Sequence, residues 1–390
     1  MCRNIHPFWK VKGETNMRLL SKEKLEHNIE EIATFDLTNN NLFGSSYLVY
    51  QNGDVVLKKH FGHTSIDGKD PVDDTTIYRL ASMTKPITAV AILILVDRGL
   101  ISLDEPVSKY IPEFEDIHII TSDGADLGKT KTPVTILHCL THTSGFGSDK
   151  IIAMSEDDRK TISNTVKCYI NAGLDFEPFT KQAYSAFAAF DVLAAIVEYV
   201  TKQDYETFLK NEIFVPCNML NTTFSPTEKQ WKQLMMMHNK VDEKNDIGIT
   251  YSGCVFERFP CEHRLAGAGL VSTLDDYSNF AQMLLNKGEI NNNRIVSEQA
   301  INKLSKAYVS EKIMPGYQKW GLGVRVITDE EYPHLSVGSF GWSGAYGSHF
   351  WVDPKNDICA VFMKNSRFDG GAGNSSARRF EEAVFNALIY

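Results

Sequence analysis

Tyr78-Arg-Leu-Ala-Ser-Met-Thr-Lys-Pro-Ile87 sets a serine and a lysine three residues apart at the mouth of an apolar run, Ile87 to Val96. A helix turns about every 3.6 residues, so Ser82 and Lys85 share a face and the amine reaches the hydroxyl. The run is apolar almost all round, which marks a buried helix, and Gly99 follows as a left-handed stop. A serine at such a helix start sits among unpaired backbone N–H groups, which favour negative charge on or near its oxygen. Pro86 is compatible with a first turn, whose N–H groups have no internal partners. A solvated lysine, with a pKa of about 10.4, is a poor base at neutral pH. Desolvation against the helix, or a second cation nearby, lowers that value. The same spacing also fits a serine N-cap beside a lysine that lays its stem on the surface. Segments far away in the chain decide between the two.

Composition narrows the field. Of the 390 residues, 43% are hydrophobic and 11% aromatic, enough for a large core and against disorder. The formal net charge of -9, with both signs interspersed, leaves no basic stripe for nucleic acid. Met1 to Met17 carries Arg3, Lys10 and Lys12 but no apolar stretch of signal-peptide length, and Met17 is an alternative start. Ile87 to Val96 is too short for a membrane span of about 20 residues. Seven cysteines, an odd number without a Cys-x-x-Cys pair, suit free thiols in a reducing cytosol, with Cys254 and Cys261 the pair that would bridge. The expectation is a cytoplasmic protein with a loosely ordered extension over 1–16 and a single domain over 17–390.

Along the chain, Leu20 to Ala33 reads as an amphipathic helix through Leu25, Ile29 and Ile32. Ser45 to Tyr50 and Val55 to Phe61 flank Asn52-Gly53, a strong hairpin signal. Leu103 to Pro112 reads as a loop. Thr132-Pro133 opens a helix that ends near Thr141 to Gly145, with Thr as cap and Pro at the first position. Further helices are expected over Ser185 to Lys202, over Tyr205 to Phe214, and over Leu270 to Asn286 with Thr273 as cap. The period then changes to strands at Gly323 to Ile327, Ser348 to Val352 and Ile358 to Met363, before a closing helix from Ser376 to Tyr390. The first and last strands bracket a helical middle. That predicts an α/β lobe over about 17–75 plus 285–390, a helical lobe over about 76–284, and a cleft between them.

Two later segments bear on the chemistry. Ala183-Tyr-Ser-Ala186 puts Tyr184 at a helix start among small residues, where its phenol can carry a proton if a lysine lowers its pKa; a half-buried core tyrosine is the plain alternative. Phe340-Gly-Trp-Ser-Gly-Ala-Tyr-Gly-Ser348 is glycine-rich and leads into a strand, so its backbone can approach a ligand and donate to an oxyanion; a tight turn is the plain alternative. Ser82-Met-Thr-Lys85, Tyr184-Ser-Ala186 and Trp342-Ser-Gly344 stand in the order of the three motifs of the serine β-lactamase and penicillin-binding protein superfamily, which this chain resembles from about residue 20 to its end. Leu140-Thr-His-Thr-Ser-Gly145, Ala266 to Thr273 and Trp320-Gly-Leu-Gly323 add to the likeness.

The resemblance implies an α+β, β-lactamase/transpeptidase-like fold, with an antiparallel sheet flanked by helices, a mainly helical lobe, and the active site between them. It implies Ser82 as nucleophile, Lys85 and Tyr184 as proton carriers, and the backbone N–H groups of Ser82 and Ala345 as oxyanion hole. Ala186, Trp342, Ser343 and Gly344 would contact the substrate. Where β-lactamases of this fold have an asparagine and a lysine, this chain has Ala186 and Trp342. The first change removes an amide for the substrate and the lysine, and the second replaces a cation for a carboxylate by apolar surface. The Trp-x-Gly form resembles the carboxylesterases of the fold. The function implied is hydrolysis of small or medium carboxylic esters through an acyl-enzyme. The alternatives are an acyltransferase, a β-lactamase or D-alanyl-D-alanine carboxypeptidase, and a sensor that stays acylated. The partner is a small-molecule ester or amide, with no cofactor.

Rival sites are weaker. His138 and His142, four apart, have zinc-ligand spacing but lack the glutamate of His-Glu-x-x-His, so His142 is read as holding its loop by hydrogen bonds and no metal is expected. Ser343 in Gly341-Trp-Ser-Gly-Ala345 resembles a nucleophile elbow, which needs a helix after it where a strand is expected here. Leu234 to Met237 reads as core filling rather than a plastic entrance.

Overall fold

The computed structural model describes residues 17–39, 42–147, 154–240, 247–248, 264–367 and 373–389. The 1–16 extension, Cys254 and Cys261 lie outside the described residues. Seven strands form one antiparallel sheet: β1 (Gly44–Gln51), β2 (Asp54–Gly62), β3 (Gln318–Trp320), β4 (Arg325–Ile327), β5 (Phe340–Ser343), β6 (His349–Asp353) and β7 (Ile358–Met363). Their order is β3-β4-β5-β6-β7-β1-β2, so β1 joins the late strands through β7. The β1–β2 hairpin turns at Asn52 and Gly53, with φ of 55° and 81°, the left-handed pair that a two-residue turn requires.

Every residue of β7 is buried because both faces of the sheet are covered. Cys359, Val361 and Met363 enter one core with helices α2 (Thr84–Asp97), α5 (Ala188–Thr201) and α6 (Leu274–Leu285). Ile358, Ala360 and Phe362 enter a second core with α1 (Lys22–Thr38) and α7 (Ser375–Asn386). The strand period of two therefore assigns each side chain of β5 to a face. Two shorter helices, α3 (Ile136–Leu140) and α4 (Ile162–Ala172), pack against α5.

Several boundaries differ from the sequence reading. Helix α3 begins at Ile136, not at Thr132-Pro133, because Thr135 makes a reciprocal capping box with His138 while the Thr132 N–H is bonded to the Glu177 carboxylate. Leu270 to Asn286 is not all helix: Val271–Ser272 pairs with Tyr78–Arg79, and α6 starts after the Thr273 cap. Tyr205 to Phe214 is an α-turn, Tyr205–Leu209, running into a π-helical segment, Lys210–Phe214. Gln318–Trp320 is a strand that the reading did not contain, and the first four residues of the glycine-rich segment, Phe340–Ser343, are themselves strand β5. The closing helix ends at Asn386, and Leu388–Ile389 pairs with Leu19–Leu20, joining the two ends of the described chain. Of the stretch Leu234 to Met237, read as core filling, Met235 lies in the core, while Leu234, Met236 and Met237 are half-buried.

Candidate active site

The Ser82 turn is held from behind. Tyr78–Arg79 pairs with Val271–Ser272, and the Leu80 N–H donates to the Leu270 carbonyl at 2.9 Å. The chain then turns at Ala81, whose φ of 45° is left-handed and costs a non-glycine residue of order 1–3 kcal/mol. One 3₁₀ turn, Ala81–Met83, carries Ser82, and α2 starts just beyond it at Thr84. Ser82 thus precedes the helix rather than sitting inside its first turn. It is half-buried.

Lys85 is fully buried. Its Nζ lies 2.8 Å from the Ala186 carbonyl, 2.8 Å from the Gly267 carbonyl and 3.4 Å from Ser82 Oγ. Burial pushes the amine below its ordinary value, against the opposing pull of Tyr184 and Asp191. An ammonium would donate to all three oxygens. A neutral amine has two N–H groups for the two carbonyls, which leaves its lone pair for the hydroxyl. Sequence reasoning took Ala186 as the loss of a lysine contact; the backbone of that residue supplies one instead.

Tyr184 stands between aromatic neighbours. Its ring centroid is 4.5 Å from His142, 5.6 Å from Trp342 and 5.9 Å from Trp320, and Lys85 Nζ lies 4.9 Å from it. The Trp342 indole N–H donates to the Tyr184 hydroxyl at 3.2 Å. Trp342 is therefore a polar contact to the phenol as well as apolar surface, a role the sequence reading missed.

The third segment approaches the first at Leu80. A Cβ on Gly344 would lie 2.3 Å from the Leu80 carbonyl oxygen and 2.3 Å from Ser348 Oγ, so only glycine fits. Ala345 follows at an exposed position. Among the described residues neither the Ser82 nor the Ala345 N–H is bonded to an acceptor.

Ser343 is not brought together with the others, because β5 sends its side chain to the opposite face from Trp342. Its Oγ lies 2.8 Å from His349 Nδ1, and His349 Nε2 lies 3.0 Å from Glu381 Oε1 on α7. Burial would raise Glu381, but Arg325 first, then His349 and Arg378, hold it at about 2. Ionised Glu381 only accepts, so His349 carries its proton on Nε2 and Ser343 donates to the bare Nδ1. This Ser–His–Glu chain is closed in: Ser343 is 5% exposed, His349 0% and Glu381 1%. The elbow comparison also fails, since β5 is followed by a turn and β6.

Asp191 was also missed. An acid inside the apolar run Ala188 to Val200 is the signal that would have found it. It is buried on α5 and accepts from the Tyr169 hydroxyl and the Ala266 N–H, both at 2.9 Å, which fixes the loop whose Gly267 carbonyl holds Lys85. His138 Nδ1 is used in the α3 cap and His142 Nδ1 accepts from the Ser185 N–H, so neither offers that nitrogen to a metal. Among the described residues no group of three or more metal-ligating side chains is gathered, and no helix is long and apolar enough to cross a membrane.

The sequence model of the Beta-lactamase family matches residues 25–384. The chain belongs to the Beta-lactamase family. It is 27% identical over 374 residues to Esterase EstB of Burkholderia gladioli, covering 87% of this chain and 91% of that one. It is 26% identical over 348 residues to Protein Rv1367c of Mycobacterium tuberculosis, covering 83% and 85%. Among solved structures, EstCE1, described as a hydrolase with promiscuous acyltransferase activity, matches with a TM-score of 0.78 at 21% identity over 93% of this chain and 99% of that one. The architecture is the β-lactamase/transpeptidase fold that the three motifs implied, and the family comprises serine hydrolases, carboxylesterases among them.

Proposed function

We propose that this protein hydrolyses small or medium uncharged carboxylic esters through an acyl-enzyme on Ser82. The observation that carries the reading is the Trp342 indole N–H on the Tyr184 hydroxyl, where lactam-cleaving relatives are expected to have a lysine. Ser82 Oγ attacks the ester carbonyl, and its proton passes to the neutral Lys85 amine or through the Tyr184 phenol. The carbonyl oxygen, now negative, is received by the Ser82 and Ala345 N–H groups, each such donor being worth about 10²–10³ in rate. Collapse expels the alcohol, which takes the proton from the Lys85–Tyr184 pair. Water repeats the sequence on the acyl-enzyme, releasing the acid and returning the proton to Ser82.

A carboxylate on the substrate finds no cation from position 342 and would meet the indole instead. That favours uncharged esters over β-lactams and D-alanyl peptides. An alcohol in place of water would make the same intermediate an acyl donor, and the description of EstCE1 keeps that second reading in view. The test is a comparison of p-nitrophenyl butyrate with nitrocefin, with Ser82→Ala as control. The ester is expected to exceed the lactam at least about tenfold in kcat/KM, a difference of about 1.4 kcal/mol in barrier. The reverse order returns the protein to the lactam-cleaving branch, and a burst of product without turnover makes it a sensor.

A further inference from the structure

We infer that His142 is the positioning residue of Tyr184, clamping the tyrosine from both flanks through one backbone and one side-chain acceptor. The inference rests on the reading of Tyr184 as proton carrier. The Ala183 N–H donates to the His142 carbonyl at 3.0 Å, and the Ser185 N–H donates to His142 Nδ1 at 3.0 Å. Between them the Tyr184 N–H is taken by Gln182: with its amide oxygen turned inward, that oxygen accepts from Tyr184 at 3.2 Å and from the Trp320 indole at 3.1 Å. Three successive N–H groups are thereby fixed. The His142 ring then lies against the phenol ring itself, 4.5 Å away, and against Trp320 at 4.3 Å.

Such a clamp needs one residue to present its carbonyl and its side chain to the same strand of chain. His142 manages this in a left-handed conformation, φ 56°, a region rare for non-glycine residues as a whole but several-fold enriched in histidine, asparagine and aspartate. The Thr143 N–H donates to the His138 carbonyl and the Gly323 N–H to the Leu140 carbonyl, so the turn is anchored on α3 and beside β4. Because Nδ1 accepts a backbone N–H, the imidazole is neutral with its proton on Nε2, and that nitrogen is buried without a hydrogen-bond partner. Burial, with the Lys85 amine nearby, keeps the ring from gaining a second proton. An orphaned buried N–H is retained at a cost. The geometry it accompanies, a tyrosine held over Lys85, accounts for its retention.

The clamp acts on Tyr184 and not on substrate, so it is read in kcat. Three proteins are compared on p-nitrophenyl butyrate: wild type, His142→Ala, which loses acceptor and ring, and His142→Asn, which restores an acceptor and tolerates the left-handed turn. His142→Ala is expected to lose about 100-fold in kcat with KM changed less than about threefold, as displacing a reacting group by an ångström does, and His142→Asn to recover at least about tenfold of that loss. Nitrogen NMR of histidine-labelled wild type at neutral pH supplies a readout independent of any substrate, with the Nε2–H tautomer expected at His142. A His142→Ala enzyme with unchanged kcat, a folded His142→Asn no better than His142→Ala, or an Nδ1–H or doubly protonated ring each overturns the clamp. Failure of ester turnover in wild type counts against the esterase reading alone, because the tautomer still tests the clamp.

Discussion

Trp342 is where one nitrogen separates two accounts of the same ring. As apolar surface alone it would be replaceable by phenylalanine. As donor to the Tyr184 hydroxyl at 3.2 Å it is not. Trp342→Phe is expected to lower kcat about tenfold and leave KM within about threefold, since a single hydrogen bond contributes ~0.5–1.5 kcal/mol; an unchanged kcat assigns the indole to packing. Lys85 gives a second test. Burial lowers its folded pKa, so the neutral base is present at any pH above that lowered value. The pH profile of kcat/KM should therefore rise and level off below the ordinary lysine value of 10.5, and a rise that continues to that value contradicts a desolvated base. The Ser82–Lys85 pairing was legible because three residues of turn or helix fix it locally. The Ala186 and Gly267 carbonyls on Lys85 were not, because no side chain signals them and their partners lie 101 and 182 residues away.

At the level of elements, glycine misled and informed. Phe340-Gly-Trp-Ser-Gly344 leaves a tight turn open beside a backbone that approaches a ligand, because two glycines bracket Trp342, yet Gly341 sits inside β5, where a Cβ would come within 2.1 Å of the Phe350 carbonyl oxygen on the next strand. Gly344 has the same need toward Leu80. Gly344→Ala is expected to drive Leu80 and the Ser82 turn apart from the third motif, with ester activity falling about 100-fold, while Gly338→Ala, with open space around it, costs stability through its φ of 89° and leaves activity intact. Equal activities in the two variants would separate the third motif from the Ser82 turn. By contrast Asn52-Gly53 announced its hairpin correctly, since a two-residue turn leaves little choice of residue. Thr132-Pro133 imitated a helix start, but Thr135 had the better cap within reach.

For the whole molecule, the order of three motifs spread from Ser82 to Gly344 was readable, and so was the sheet split between the two ends of the sequence. Which face each β5 side chain takes was not, because that depends on register against β4 and β6. Ser343 consequently lies with Glu381 on α7, in a buried charge network that gives the fold an acid limit. Glu381 is held at about 2 against an ordinary 4.5, so its contribution is complete above 4.5 and lost as pH falls toward 2. His238, lowered to about 4, His349 and His142 are all depressed from 6.5, so the unfolded chain binds their protons first and stability again falls as pH drops below 6.5. Calorimetric Tm should decline from about pH 7 to about pH 4 through the three histidines and fall further below about pH 4.5 through Glu381; a flat Tm over the first window contradicts neutral buried histidines, and no further loss below about pH 4.5 contradicts the network's role. The most direct test of the central claim is fluorophosphonate labelling of the native protein followed by peptide mapping. The label is predicted on Ser82 and absent from Ser82→Ala, whereas a label on Ser343, with its histidine and glutamate behind it, would transfer the nucleophile to the other face of the sheet.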